Sequence, residues 1–562
     1  MDFINLKNSI SSYNINFLKH DIKSSFTVAA VAIPQNMAYA LIAGVNPIYG
    51  IYTSIVAMIS GSILGISNFM ILGPTNILAI AIASNMSFLK NGNYLEGVFF
   101  LTFMVGILQI IFSLLKFGKL VNYISHSVIV GLTTGLAFLI GAGQVGSLLG
   151  LQIDSGSNII NNILGIINKI KNVNISSLLI GLTTIILILI FNRVFKKIPS
   201  FLGALIMVSL GTYLLDIENI LNVVKFHESG LPKFYFFNFN TDLIGKLFTG
   251  AFSITILSFI QPVSILKTLE GSRNQKVNLN REFFRLGMIN IIVSFFKGFV
   301  STGSITNTHI NDQAGAESRF SQLLTGIIIL IMSVLFSSIF SYIPIAALSG
   351  IVIVVAYNMV DIGEIFKIVK TTKFDAIVLT ATFLSTIFVP RIDYAIYIAV
   401  GLSIILLLRR MSDPDITHIG YNDEEKGILE NKEIENKKRE DYIIINFSGH
   451  IYFHSAHKLQ KKLERLYCKN QKFILRLRNI NHIDYTAIKE IDKFIDKVLK
   501  NGGKIIISGT KEKVYKILYK YGIVDKIGKE NIFKMKDQFF SATQKAIEKI
   551  KKSENKENGN GK

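Results

Sequence analysis

Gly303-Ser304-Ile305-Thr306-Asn307-Thr308-His309-Ile310-Asn311-Asp312-Gln313 is a polar stretch set between two apolar runs, 285–300 and 321–341. Side chains of this kind cannot face hydrocarbon. At membrane depth they persist only when packed in protein or lining a watery cavity. A second stretch answers the first: Gly73-Pro74-Thr75-Asn76 opens the apolar run 74–89. The simplest arrangement is a pair of half-helices that start near the membrane midplane and point their N-termini at each other. Each start offers unpaired N–H groups and the positive end of a helix dipole, which together suit an anion. Pro74 has no N–H to lose and favours a helix start, while Thr75 and Ser304 add hydroxyl donors.

Outward from these two stretches, the chain between Ser24 and Arg410 divides into fourteen candidate spanning segments, from 24–44 to 393–409. A span needs about 20 mostly apolar residues, fewer when it is buried in protein. The whole chain of 562 residues is 50% hydrophobic and 17% charged, against about 25% charged in soluble domains. Its net charge of +21 fits either nucleic-acid binding or cytoplasmic membrane loops, and position decides. Lys116, Lys119, Arg193, Lys196, Lys197, Lys267, Arg273, Arg281, Arg319, Lys367 and Lys370 fall in alternate connections. That is the positive-inside pattern, and it puts the N-terminus in the cytoplasm with no nucleic-acid partner. The single Cys468 excludes an intramolecular disulfide framework and a multi-cysteine metal site. Residues 1–23 are polar and mixed in charge, without a secretory signal pattern.

Two breaks recur at matched offsets. Pro34-Gln35 interrupts the first segment and Gln261-Pro262 the eighth, with the glutamines 226 positions apart (261 − 35). Gly73 and Gly303 are 230 apart (303 − 73). The offsets argue for two halves of seven segments. An odd number per half turns the second upside down, which gives a 7+7 inverted repeat. Gln35 and Tyr39, four apart, share one face of the first helix and close one side of the same cavity.

The stretch Ala32-Ile33-Pro34-Gln35-Asn36-Met37-Ala38-Tyr39-Ala40 resembles the first-helix signature of the SulP family of inorganic anion transporters. Gly50-Ile51-Tyr52-Thr53-Ser54, Gly73-Pro74-Thr75, Ile124-Ser125-His126 with Gly131-Leu132-Thr133-Thr134-Gly135, and Thr302-Gly303-Ser304 through Asn311 are similar to later motifs of that family. The resemblance, which covers about residues 15 to 545, implies a gate domain and a core domain. It also implies a substrate site between the third and tenth half-helices, with help from the first and eighth helices. It nominates Gln35, Tyr39, Gly73, Pro74, Thr75, Asn76, Gln261, Gly303, Ser304, Ile305, Thr306 and Asn307 as substrate-binding, and it implies a homodimer. Many relatives carry a carboxylate where this chain has Gln261 and an arginine where it has Asn307. Two neutral amides in their place put proton coupling through that position in doubt, although His309 and Asp312 remain nearby.

Beyond Met411 the pattern changes. Residues 413–440 are charged and read as part of a linker, 411–440. Tyr442–Phe447, Phe473–Leu477 and Lys504–Ser508 then read as strands alternating with helices, an α/β arrangement with a mainly parallel sheet. This part is similar to a STAS domain. Asp484 is expected to cap a helix, and Thr486 is a candidate phosphate acceptor where STAS proteins carry a regulatory loop. The expected domains are an N-terminal cytoplasmic segment 1–23, a transporter domain 24–410, the linker, a STAS-like domain 441–545 and a disordered tail 546–562.

The function expected is a secondary transporter or exchanger of small inorganic anions such as sulfate, bicarbonate or chloride. It would sit in the cell membrane among lipid, with the soluble domain in the cytoplasm and open to a regulatory protein. Alternatives are a nucleobase-type permease of the same fold and an anion-sensing receptor that signals through the STAS-like domain. No nucleophile–base set, P-loop or metal-ligand cluster stands out, so neither an enzyme nor a cofactor is expected.

Overall fold

Asparagine starts many of the helices. Asn14 Oδ1 accepts from Asn16 N and Phe17 N at the head of α1 (Ile15–Ile42). Asn46 caps α2 (Pro47–Leu64), whose Pro47 sits at the first helical position. Each cap satisfies backbone donors that a helix start leaves open. Gly65, at φ +73°, closes α2 in the left-handed region that glycine enters without strain. A computed structural model of the protein describes residues 13–550 apart from 66, 87, 90–93, 119–124, 152–158, 196–198, 216–222, 225–230, 238–240, 274–277, 337–341, 390, 412–414, 423–426, 432–441, 452, 468 and 536–541.

After α2 the first half continues through α3 (Asn76–Met86), α4 (Tyr94–Leu114), α5 (His126–Leu148), the short α6 (Ile159–Lys169), α7 (Ile175–Val194) and α8 (Ser200–Leu214). The second half runs α9 (Thr241–Arg273), α10 (Leu279–Phe295), α11 (Ile305–Gln313), α12 (Phe320–Leu335) and α13 (Ile345–Asn358). It ends with α14 (Ile362–Thr371), α15 (Lys373–Phe388) and α16 (Ile392–Met411). Among the described residues, with α6 and α14 set aside, fourteen helices remain, seven per half, and seven stretches are apolar and long enough to cross a membrane by themselves. Two sets of helices pack closely, and α1 touches both. In one, α4 lies on α9 and α10, and α2 lies on α10 and α12; in the other, α5 lies on α13 and α15, and α7 on α8 and α13.

Several expectations change. Pro34 and Pro262 do not interrupt their helices; both lie inside continuous ones. Helix α1 also begins at Ile15, so most of the described part of 1–23 is helical rather than a separate segment. Helix α3 begins at Asn76, so Pro74 precedes the helix, and Thr75 holds the cap position with its carbonyl accepting from Ala79 N at 2.9 Å.

The second compact unit starts at Ile405. Its six strands are β3 (Asp415–Asn422), β4 (Gly427–Asn431), β5 (Tyr442–Ile451), β6 (Lys472–Ile483), β7 (Lys504–Thr510) and β8 (Ile532–Lys534), in the order β4-β3-β5-β6-β7-β8. Strands β5 to β8 are parallel, while β3 is antiparallel to both neighbours. The expected linker 411–440 therefore contains two strands. Helices α17 (Phe453–Leu466), α18 (Tyr485–Lys500), α19 (Glu512–Tyr521) and α20 (Ile523–Ile527) accompany the sheet. Of the expected tail 546–562, residues 546–550 are helical, and Ala546, Ile547 and Ile550 pack on Ile444, Ile474 and Ile506. Residues 551–562 lie outside the described residues.

Candidate functional site

Two strands of two residues each set the geometry. β1 (Leu72–Gly73) pairs antiparallel with β2 (Thr302–Gly303), Leu72 opposite Gly303 and Gly73 opposite Thr302. Ser304 N donates to Ile71 O at 2.9 Å, and Ile71 N donates to Thr308 Oγ1 at 3.0 Å. Because each strand runs directly into a half-helix, the pairing brings the starts of α3 and α11 together. Gly303 is required there by close approach, since a Cβ would lie 2.6 Å from Met70 Sδ.

A layer of satisfied amides holds these strands. Asn290 Oδ1 accepts from Ser301 N (2.8 Å) and Ser301 Oγ (2.9 Å), and its Nδ2 donates to Gln109 Oε1 (2.9 Å) and Ser301 O (3.0 Å). Gln109 Nε2 donates to Ser258 Oγ at 2.7 Å, and Thr302 Oγ1 donates to Ser258 O at 2.6 Å. On the other side Asn311 Nδ2 donates to Phe69 O at 3.0 Å, and its Oδ1 accepts from Ser24 Oγ at 2.6 Å. Asn290, Gln109 and Asn311 are wholly buried, and each has its partners.

A second set is buried and lacks them. Gln35 Oε1, both amide atoms of Asn36, Thr75 Oγ1, Gln261 Oε1 and both amide atoms of Asn307 have no hydrogen-bond partner among the described residues. Each such atom costs about 1–3 kcal/mol when left unmet, and buried polar groups in folded proteins nearly always find a partner. These atoms come from elements that meet. Helix α1 packs on α3 and α11, and α9 packs on α3, α11 and β2. Asn36 Oδ1 stands 3.9 Å from where a Cβ on Gly73 would be. The helix crossing that fixes Asn36 is tight: a Cβ on Gly50 would fall 1.9 Å from Asn36 O.

Of the remaining candidates, Tyr39 is buried on α1 one turn beyond Gln35, and Pro74 is buried beside Thr75. Asn76 is half-buried, with its Oδ1 accepting from Ile77 N at 2.8 Å. Ser304 caps α11 by accepting from Asn307 N at 3.3 Å. Its hydroxyl thus serves the helix as an acceptor, where the sequence reading has it only as a donor. Ile305 and Thr306 are exposed. His309 is exposed as well and bonds Gln313 at 2.8 Å. Thr486 belongs to the second compact unit and is exposed on the first turn of α18. Asp484 caps that helix through Ala487 N at 2.9 Å.

Asn36 is absent from the sequence-derived set although it lies inside the first-helix motif. Its neighbour Gln35 drew the argument, because only the structure shows that both polar groups of Asn36 are enclosed. Thr308 is absent for a different reason. Its role is to hold Ile71 across the strand pair, a contact between residues 237 positions apart.

The set offers amide and hydroxyl donors, amide acceptors and two helix starts, with no charged side chain among the candidates. That chemistry can bind a small anion through dipoles. The sequence matches the model of the Sulfate permease family over residues 18–382 and that of the STAS domain over 433–542. A putative sulfate transporter of Bacillus subtilis (strain 168), YvdB, is 28% identical over 535 residues, covering 94% of this chain and 98% of that protein. Probable sulfate transporter 4.2 of Arabidopsis thaliana is 28% identical over 545 residues, covering 92% and 80%. Among solved structures, murine Slc26a9, an anion transporter, superposes with a TM-score of 0.88 at 18% identity, over 97% of this chain and 93% of that one. The transmembrane domain of the cyanobacterial bicarbonate transporter BicA gives 0.62 at 23% identity, over 68% and 98%. The chain belongs to the sulfate permease family, a family of membrane transporters rather than enzymes, and carries a C-terminal STAS domain.

Proposed function

We propose that this member of the sulfate permease family carries a small inorganic anion held between the starts of α3 and α11. The observation that supports this reading is the set of enclosed polar atoms on Gln35, Asn36, Thr75, Gln261 and Asn307. The unmet donors beside two helix N-termini favour a negative ligand, and the unmet amide oxygens favour one that carries a proton or its own water. Tyr39, Ser304 and Asn76 complete the wall, and Ile305 and Thr306 face its open side.

Sulfate is the first anion to test, because relatives along nearly the whole chain are named sulfate transporters. Bicarbonate is the second, after the transporter whose transmembrane domain shares the fold. The alternation of basic connections orients the protein in the cell membrane with its N-terminus and STAS domain in the cytoplasm. We assign the membrane domain to α1 through α16, a homodimer as the working form, and the exposed Thr486 region as the place where a regulatory protein would act.

The test is flux into liposomes that hold the purified protein. Saturable uptake of sulfate or bicarbonate is expected, reduced about tenfold or more in Thr75→Ala and Asn307→Ala, each of which removes a polar contact to an anion at a cost of about 1.4 kcal/mol or more. Nucleobase flux, or anion binding without flux, would replace the proposal with another.

A further inference from the structure

An apolar groove of about 520 Å³ lies between α2, α10 and α12, lined among others by Ile59, Ile63, Leu64, Ile292, Phe296 and Leu330. Ser60, the polar side chain in its lining, donates to Val56 O of its own helix at 2.5 Å, so the lining makes no polar demand along its length. The groove is open, and Ile63 is 54% exposed.

One end of the groove is basic. Leu64 is followed by Gly65, whose carbonyl accepts from Arg285 Nη1 at 2.5 Å. Arg281 lies one turn earlier on α10 and is exposed. Arg319 reaches the same place, with Nη1 2.8 Å from where a Cβ on Gly65 would be. Among the described residues, Glu282 stands beside these guanidinium groups, 3.0 Å from Arg285. Arg285, Ile292 and Phe296 are spaced by seven and eleven residues and so share one face of α10. Eleven residues of helix span ~16 Å, close to the ~15 Å of hydrocarbon in one leaflet.

We infer that the groove seats one acyl chain of an anionic phospholipid, whose phosphate lies against Arg281 and Arg285. The chain length, the apolar lining and the excess positive charge at one end match the anatomy of such a lipid. A zwitterionic annular lipid, whose phosphate is balanced by its own cation, would gain less from the charged end. The inference rests on the membrane fold and does not depend on which anion is transported.

The chain has no Trp, so Ile63→Trp places a single fluorophore in the groove. The full-length variant is reconstituted in vesicles that contain brominated phosphatidylglycerol or, at matched fractions, brominated phosphatidylcholine. Quenching by the phosphatidylglycerol is expected to reach half-maximum at a roughly fivefold lower mole fraction, the effect of about one basic residue at an anionic surface. Arg281→Gln, a change at an exposed side chain that leaves the Arg285 bonds intact, should bring the two lipids close to parity. A tryptophan at the exposed Ile186 of α7 should show no preference. Equal quenching by both lipids would reduce the groove to ordinary lipid contact and overturn the inference. Absence of quenching by either would overturn it too, because protein would then cover the groove. Flux of the anion is measured on the same vesicles, so loss of transport and loss of lipid preference are read separately.

Discussion

At the scale of single residues, buried amides fall into two classes with opposite consequences. Asn290 meets four protein groups, and its removal leaves the buried Ser301 N–H and Gln109 carbonyl without partners. Asn290→Ala should therefore lower stability by about 2–4 kcal/mol, seen as a fall in the thermal midpoint of the detergent-purified protein. Asn307 meets no protein group through its side chain, so Asn307→Ala removes two unmet buried atoms and should not lower the midpoint, while flux falls. If the two variants melt alike, Asn307 is structural and the site is misplaced. Asn307→Arg puts a cation beside both helix starts and should change anion affinity or selectivity, and unchanged kinetics would argue that the position lies outside the cavity. With Gln261 and Asn307 both neutral, uptake should also show no proton coupling that depends on position 261. A gradient-driven uptake that Gln261→Ala abolishes would contradict this. The candidate residues were legible because polar side chains are conspicuous within apolar runs. Asn36 was not, since a sequence does not reveal that both of two adjacent amides are enclosed without partners.

At the scale of elements, the fourteen segments were legible from hydropathy, and the pairing that joins them was not. β1 and β2 are two residues long, too short for any alternating pattern. Helices α6 and α14 were also missed, because each has 11 or fewer residues and only a stripe of apolar side chains. Ile163, Leu164 and Ile167 on α6, and Ile362, Phe366 and Val369 on α14, are exposed, as suits helices lying in a membrane interface. Each follows the fifth helix of its half, a further mark of the repeat. A different junction can be tested by mutation. Arg391 Nη2 lies 2.9 Å from Asp393 Oδ2 and donates to Asn85 Oδ1 at 3.0 Å and Thr249 Oγ1 at 3.1 Å. It thereby ties the start of α16 to the end of α3 and the start of α9. Because Asp393 is fully buried, Arg391→Gln leaves a buried carboxylate without its counter-charge and should cost about 3–5 kcal/mol. Arg391→Gln combined with Asp393→Asn should recover much of that loss. A double variant no more stable than the single one would show that the pair itself is not what holds the junction.

At the scale of the whole molecule, the chain forms two compact units, Met1–Ile404 and Ile405–Lys562, whose hydrophobic clusters share no residue. The sheet of the second unit was legible in its apolar strands, which are buried on both faces, as parallel strands are. Its antiparallel edge was hidden. β3 and β4 are drawn from a stretch rich in Asp, Glu, Lys and Asn, and an edge strand needs little apolar surface to hold its place. The separate clusters predict separate melting transitions, and pH can identify the second. Burial alone would disfavour the Lys526 ammonium. Hydrogen bonds and attraction from Asp492 at 2.5 Å and Asp496 at 3.0 Å outweigh that burial and hold its pKa above the ordinary lysine value. A raised pKa in the folded state gives stability that is fully present below the unfolded value of about 10.4 and is lost as pH rises through the folded value. The site is partly solvated, so the contribution is no more than about 1 kcal/mol. Lys526→Met should lower one transition at pH 8 and leave the other in place, and the difference from wild type should shrink as pH climbs above about 10.4. Other lysines and tyrosines titrate in that range in both proteins, so the difference between them carries the information. A variant that shifts both transitions together, or a difference that does not shrink at high pH, would mean that the two units unfold as one or that the ion pairs contribute nothing.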